Sequence, residues 1–402
     1  MRFVDALYRS GAVEVMVPDI NESERMFTVV YEKTPRPVPK KLSSKIDLDP
    51  WRPRIRVGLG GIKGVGDSAI ESIVEVRGHG PFQDLFEFTS RVDPRRVNKG
   101  VVESLVYAGA FDETLKRTGA TRAQAYAAID KALERGKGAA KERASGQMGL
   151  FGMAETLQPT GGYPEVQPWD LVDRVKRERE ALGLYLTGHP LDRYASDVGR
   201  FTTAQCAQVA ERENGDEVVL AGVIEEYREK VPKSGAGRMA FFWLEDKTGR
   251  VEAIVRPKTY DEVSSALKEG ESVLITGKVK VDFRRDEEGN VDDEVPEQQL
   301  ERKLMVNAVV SLGAALSQRT SGVTLRFNES TLREPAVARR RLDELRRALA
   351  EHPGRCPMNA VVKTPDGSEV SVRLPRFRVD PSEALLAKIE RIFGEKVAEL
   401  RS

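Results

Sequence analysis

Cysteine is nearly absent from this 402-residue chain. Cys206 and Cys356 lie far apart, so neither a disulfide framework nor a cysteine zinc site is supported. The three histidines, His79, His189 and His352, are dispersed, which argues against a histidine metal site. No apolar run approaches the roughly 18 residues a membrane-spanning helix needs. The N-terminus lacks the basic, apolar and small-residue regions of a secretion signal. The chain therefore reads as cytoplasmic, with no membrane partner. An excess of charge is also missing: 64 Lys and Arg face 63 Asp and Glu, a net charge of +1. Any affinity for nucleic acid must then be local rather than spread over the surface. What the chain has is length enough for about two to four domains with real cores.

One stretch is dense in glycine. Gly58, Gly60, Gly61, Gly64 and Gly66 precede Asp67, a candidate N-cap, and apolar residues at 69, 70, 73 and 74 then follow a helical repeat. There is no GxxxxGKS/T mononucleotide loop, and the spacing misses GxGxxG. Glycine backbone amides and the positive end of the following helix suit a phosphate oxygen. Gly61, Ile62, Lys63, Gly64, Val65 and Gly66 are therefore the candidate contacts of a helix-hairpin-helix to a duplex backbone, which position without reading sequence. A glycine-rich helix connection with no ligand fits the same pattern. Around it, Lys45, Arg52, Arg54, Arg56 and Lys63 outnumber Asp47 and Asp49; later, Arg91, Arg95, Arg96 and Lys99 face only Asp93. Such runs favour phosphate, and equally describe solvated faces.

The pattern elsewhere predicts a multidomain α+β protein. Residues 1–57 contain a helix tail, a strand at 13–17 and a proline-rich connection. Asp47 and Asp49 lie in that connection as an Asp-Leu-Asp pair, read as linker rather than as metal ligands. Residues 58–135 form a helical domain, with a helix ending near Arg77, a second at 101–112 closing on Gly109, and a third at 121–134. The second is a degenerate hairpin partner. Residues 136–168 turn to Gly, Ala, Gln and Pro and read as a linker. Within it, Gln147, Leu150 and Phe151 suit a peptide that docks in a pocketed groove, where burying both apolar side chains is worth roughly 3–5 kcal/mol before ordering costs. The same pair would also suit folding back on the helices. Residues 169–215 form a helical connector, in which His189 is expected to pack in a turn.

From 216 to 312 the period changes to two. Strands are predicted at 217–231, 238–245, 250–256, 272–283 and 303–312, with a tight turn at 246–249 and a helix at 258–268 between the third and fourth. That order is a five-stranded OB barrel, a fold that often binds single strands. Tyr227, Arg238 and Phe242 are the candidate single-strand contacts. Of Phe241, Phe242 and Trp243 some must be core, and alternation alone does not say which. The acidic stretch 286–301 would repel DNA. Residues 320–402 read as a small α+β interaction domain, with a strand at 323–327, helices at 336–350 and 382–400, and a hairpin at Pro365-Asp366-Gly367.

These residues together resemble the C-terminal portion of the bacterial DNA polymerase III alpha subunit. The likeness rests on Pro18-Asp19-Ile20-Asn21-Glu22-Ser23, the glycine hairpin at 58–66, the Ala108-Gly109-Ala110-Phe111-Asp112 ending and the run Glu180-Ala181-Leu182-Gly183-Leu184-Tyr185-Leu186-Thr187-Gly188-His189-Pro190-Leu191. Arg238-Met239-Ala240-Phe241 and Leu244-Glu245-Asp246-Lys247-Thr248-Gly249 add to it. The resemblance implies that 1–33 end the fingers, that 58–135 touch duplex DNA, and that Gln147, Leu150 and Phe151 bind the sliding clamp. It places the barrel near the template single strand and gives 320–402 the clamp-loader tau subunit as partner. The family's PHP domain and palm, whose aspartates use magnesium, have no counterpart here. No catalytic residue, metal ligand or cofactor is therefore expected in this chain, nor polymerisation by it alone. A truncated, split or fragmentary gene product fits equally; if split, the remaining polymerase half is a partner. The alternatives are a free-standing DNA-binding accessory protein and part of an error-prone paralogue.

Overall fold

The computed structural model describes residues 13–37, 49–145, 162–232, 235, 237–282, 301–328, 335–364 and 368–401. They fall into two units, Met1–His189 and Pro190–Ser402.

In the first unit, β1 (Glu14–Met16), β2 (Thr28–Val30) and β3 (Arg54–Arg56) form a small sheet in the order β1-β3-β2. Helices α1 (Asp67–Arg77), α2 (Leu85–Arg91), α3 (Lys99–Tyr107), α4 (Asp112–Thr118), α5 (Arg122–Ser145) and α6 (Leu171–Leu182) follow. Short polar side chains start several of them: Asp84 accepts the Glu87 N–H at 2.8 Å and Asn98 that of Val101 at 3.1 Å. Val57, Leu59, Ile73, Phe82, Phe88, Leu105, Phe111 and Leu182 share one buried cluster. The boundaries expected at 57 and 168 thus fall within a single core, because these short helices bury their apolar faces only against one another.

Two expectations shift here. Helix α5 runs on to Ser145, through Gly136 and Gly138, which had suggested a linker. Gly136 is a packing residue: a Cβ on it would stand 2.3 Å from the Thr89 carbonyl oxygen, so only glycine admits α2 so close. Asp67 is the first helical residue of α1; the N-cap is Gly66, without a side-chain capping bond. The helix tail before residue 13 and Asp47 lie outside the described residues.

In the second unit, short helical turns at Pro190–Tyr194, Ala195–Val198 and Cys206–Glu211 lead into the barrel. Strands β4 (Glu217–Lys230), β5 (Met239–Glu245), β6 (Arg250–Val255), β7 (Ser272–Asp282) and β8 (Glu301–Ser311) close in the order β4-β5-β6-β8-β7, and α7 (Pro257–Val263) lies between β6 and β7. Alternate residues such as Leu220, Phe242, Leu244, Ala253, Ile275 and Leu304 fill it. The turn after β5 is tied by Asp246, whose Oδ1 accepts the N–H groups of Thr248 and Gly249 at 2.7 and 3.0 Å. The acidic stretch from 283 to 300 lies outside the described residues. Beyond α8 (Leu312–Arg319) come β9 (Gly322–Phe327), α9 (Pro335–Glu351), β10 (Pro353–Lys363), β11 (Glu369–Val379), α10 (Glu383–Phe393) and β12 (Ala398–Arg401), with sheet order β11-β10-β9-β12. The helix expected over 382–400 is shorter. It stops at Gly394, which takes φ +75°, and Ala398–Arg401 pairs antiparallel with β9 because Ala398 and Leu400 alternate as a strand requires. The turn at 365–367 lies outside the described residues. Fold class is thus a helical unit, a five-stranded OB barrel and a further α+β sheet.

Candidate nucleic-acid interface

The glycine stretch enters as a 3-10 turn, Leu59–Gly61, and leaves into α1. Gly58 and Gly60 serve packing. A Cβ on Gly58 would lie 2.4 Å from the Met26 carbonyl, and one on Gly60 2.8 Å from the Arg25 oxygen. The Leu59 and Gly60 N–H groups donate to the carbonyls of Glu24 and Arg25 at 2.8 and 3.0 Å.

The six expected phosphate contacts divide. The N–H groups of Gly61, Ile62, Lys63 and Val65 donate to the carbonyls of Gly58, Leu59, Ala181 and Ile62, so they are committed inside the fold. Ile62 is 2% exposed and Val65 7%; both side chains belong to the core. Gly64, at φ +84°, and Gly66 are exposed. Among the described residues their N–H groups, and those of Asp67 and Ser68 at the start of α1, meet no acceptor. Four outward N–H donors at a helix N-terminus form the part of the hairpin suited to an anion. The Asp67 carboxylate beside them is paired with Arg25 at 2.7 Å. Lys63 is exposed and has no carboxylate in ion-pair range among the described residues.

The flanking basic residues are largely spent on the fold. Arg56 binds Glu22 at 2.6 Å, Arg96 reaches Glu71 at 3.3 Å, and Lys99 pairs with Asp130 at 2.7 Å. The Arg91 guanidinium stacks on the Phe82 ring and donates to the Val76 and Gly80 carbonyls. Gly109, the expected second hairpin glycine, has another reason to be glycine. At φ +81° its Cβ would stand 2.3 Å from Arg122 Nη2. It makes room for a buried guanidinium rather than a phosphate.

Arg122 is the centre of a network that composition did not reveal. Its Nε and Nη2 donate to Asp112 at 2.7 and 2.6 Å, and its Nη1 to Glu178 at 3.1 Å. Burial works against its charge, but the Asp112 and Glu178 carboxylates outweigh that and raise its pKa above the ordinary arginine value. Fully buried Glu178 also accepts the Leu186 and Thr187 N–H groups and the Thr187 hydroxyl, each at 2.7 Å. It thereby locks the chain that leaves α6, whose Ala181 carbonyl holds Lys63.

In the barrel, the three expected single-strand residues separate. Phe242 is 1% exposed and fills the barrel, so it is no stacking platform. The half-exposed rings of that strand are Phe241 and Trp243, opposite Ile254 and Glu252 on β6, with the Arg250 guanidinium 4.3 Å from the Trp243 ring centre. Tyr227 and Arg238 do come together, on Glu229: the Tyr227 hydroxyl donates at 2.9 Å and Arg238 stands at 3.4 Å. Desolvation and the Glu229 carboxylate push the Tyr227 phenol well above its usual range. Phe242→Ala is expected to destabilise the second unit by about 3–5 kcal/mol in urea melts, and Trp243→Ala by under about 1 kcal/mol.

Gln147, Leu150 and Phe151 lie outside the described residues. His189 is buried with its ring 4.8 Å from that of Tyr185. Among the described residues no three His, Cys, Asp or Glu side chains are grouped to hold a metal. Asp49 accepts the Trp51 N–H on Oδ1 at 2.8 Å.

Residues 12–125 match the family described as a helix-hairpin-helix motif, and 218–311 the one described as an OB-fold nucleic acid binding domain. The chain is 31% identical to DNA polymerase III subunit alpha of Pseudomonas aeruginosa over 96% of its length, and 30% identical to that of Vibrio cholerae over 85%. The chain is homologous to the C-terminal part of the DNA polymerase III alpha subunit. Against the alpha subunit of Escherichia coli strain K12 the identity is 29% over 99% of this chain. It spans 28–31% of the length of these alpha subunits. A mitochondrial single-stranded DNA binding protein of S. cerevisiae overlays 25% of the chain at 11% identity and a TM-score of 0.19, which adds nothing to the topology read from the strand ladder. No helix among the described residues is long and apolar enough to cross a membrane.

Proposed function

We propose that this chain is the DNA-holding and clamp-tethering part of a replicative polymerase alpha subunit. The observation that carries the reading is the hairpin, with outward N–H groups at Gly64, Gly66, Asp67 and Ser68 beside Lys63, which has no ion-pair partner among the described residues. Those donors take a duplex phosphate and Lys63 neutralises it, so the contact is blind to sequence. The outer face of β5 and β6, with Phe241 and Trp243, supports the single-strand contact. Gln147, Leu150 and Phe151 hook the sliding clamp, and the C-terminal α+β region meets the clamp loader through tau. A clamp tether makes each re-binding to DNA intramolecular and raises retention by orders of magnitude.

Fluorescence anisotropy with a labelled duplex tests the hairpin. Affinity is expected to be independent of sequence and to fall steeply with salt, and Lys63→Glu to lower it about tenfold or more. Unchanged affinity for Lys63→Glu would reduce the hairpin to a structural connection.

A further inference from the structure

Lys63 does not project freely from the hairpin. Its N–H is tied to the Ala181 carbonyl at 2.8 Å, in the last turn of α6. Helix α6 ends on Gly183, which takes φ +78° and donates its N–H to the Arg179 carbonyl at 2.7 Å. A Cβ placed on Gly183 would lie 3.5 Å from both Cε and Nζ of Lys63. The end of the lysine side chain therefore rests over the bare glycine, at the negative end of a helix, where a cation is favoured. Glycine does two things here: it permits the left-handed C-cap, and it leaves floor space that any longer side chain would occupy.

We propose that Gly183 is a positioning residue for Lys63, holding its ammonium group beside the outward N–H groups of Gly64 and Gly66 so that both meet one phosphate. This rests on the hairpin reading above. The amide tether at Ala181 sets the lysine's root, Gly183 sets its end, and the Glu178 carboxylate secures the loop on which Gly183 stands. DNA contact is thus tuned by a residue far along the chain from the hairpin.

The test is a double-mutant cycle in the full chain, read by duplex anisotropy at several salt concentrations. Asparagine tolerates the left-handed backbone but fills the floor, so Gly183→Asn separates the two roles of the glycine. It is expected to lower duplex affinity about 3- to 10-fold and to flatten the slope of log K against log salt by about one. In a Lys63→Ala background it should change neither. An unchanged affinity and slope for Gly183→Asn, or an equal loss with and without Lys63, would overturn the positioning role. If Lys63→Ala itself binds like the parent, the hairpin reading falls and this inference with it; if Lys63→Ala binds weakly and Gly183→Asn is silent, only this inference falls. Acetylation rates of individual lysines, measured by mass spectrometry below the melting point, give a readout independent of folding margin. Lys63 should react at least about twofold differently in Gly183→Asn while the other lysines do not; an unchanged Lys63 rate would also overturn it.

Discussion

Replacing Leu150 and Phe151 together by alanine is expected to lower affinity for the sliding clamp by roughly 100-fold or more while leaving duplex affinity unchanged. Two large apolar side chains entering a pocket are worth roughly 3–5 kcal/mol, and a short peptide has few other anchors. In the proposed tether the Gln147 amide would set register, so Gln147→Ala should cost less, on the order of tenfold. The measurement is surface-plasmon or calorimetric titration of the full chain with purified clamp, with duplex anisotropy on the same samples. Clamp affinity that survives loss of both side chains would remove this segment from the tether.

Glu178→Ala is expected to destabilise the Met1–His189 unit by about 3–5 kcal/mol. The carboxylate has four partners, and the change takes an acceptor from each: the buried Arg122 guanidinium keeps Asp112 and the Tyr107 carbonyl, while the Leu186 and Thr187 N–H groups and the Thr187 hydroxyl lose their acceptor. Glu178→Gln keeps an acceptor but discards the charge, so its loss should be smaller. Urea unfolding followed by fluorescence is suited to this, because Trp169 packs against Tyr107 and Tyr126 in the same unit. A loss under about 1 kcal/mol would mean that the network is not what secures the loop after α6. The two effects should be independent, since one acts on a partner peptide and the other on a core.

The barrel was legible because its evidence is local. Alternation over five segments, with Asp246 and Gly249 bounding one turn and a helical repeat between the third and fourth strands, leaves one economical topology. Alternation also divides a strand into two faces, but only closure tells which face is inside. That is why Phe242 could be offered as a stacking residue and proved to be core, with Phe241 and Trp243 on the other side. The hairpin behaved similarly. Glycine density marked the turn that leads into α1, yet four of its six candidate residues use their N–H groups on the protein itself.

What the amino-acid order determined by itself is therefore periodic or local: the strand and helix repeats, the Gly64 turn, the absence of any run long enough for a membrane, and the motif combination behind the kinship. Tertiary structure decided which donors face outward, why Gly58, Gly109 and Gly136 must be glycine, and how Arg122 and Glu178 find each other across 56 positions of chain. Those facts depend on what another segment brings within a few ångströms, and contact between distant segments leaves no mark in the spacing of either one.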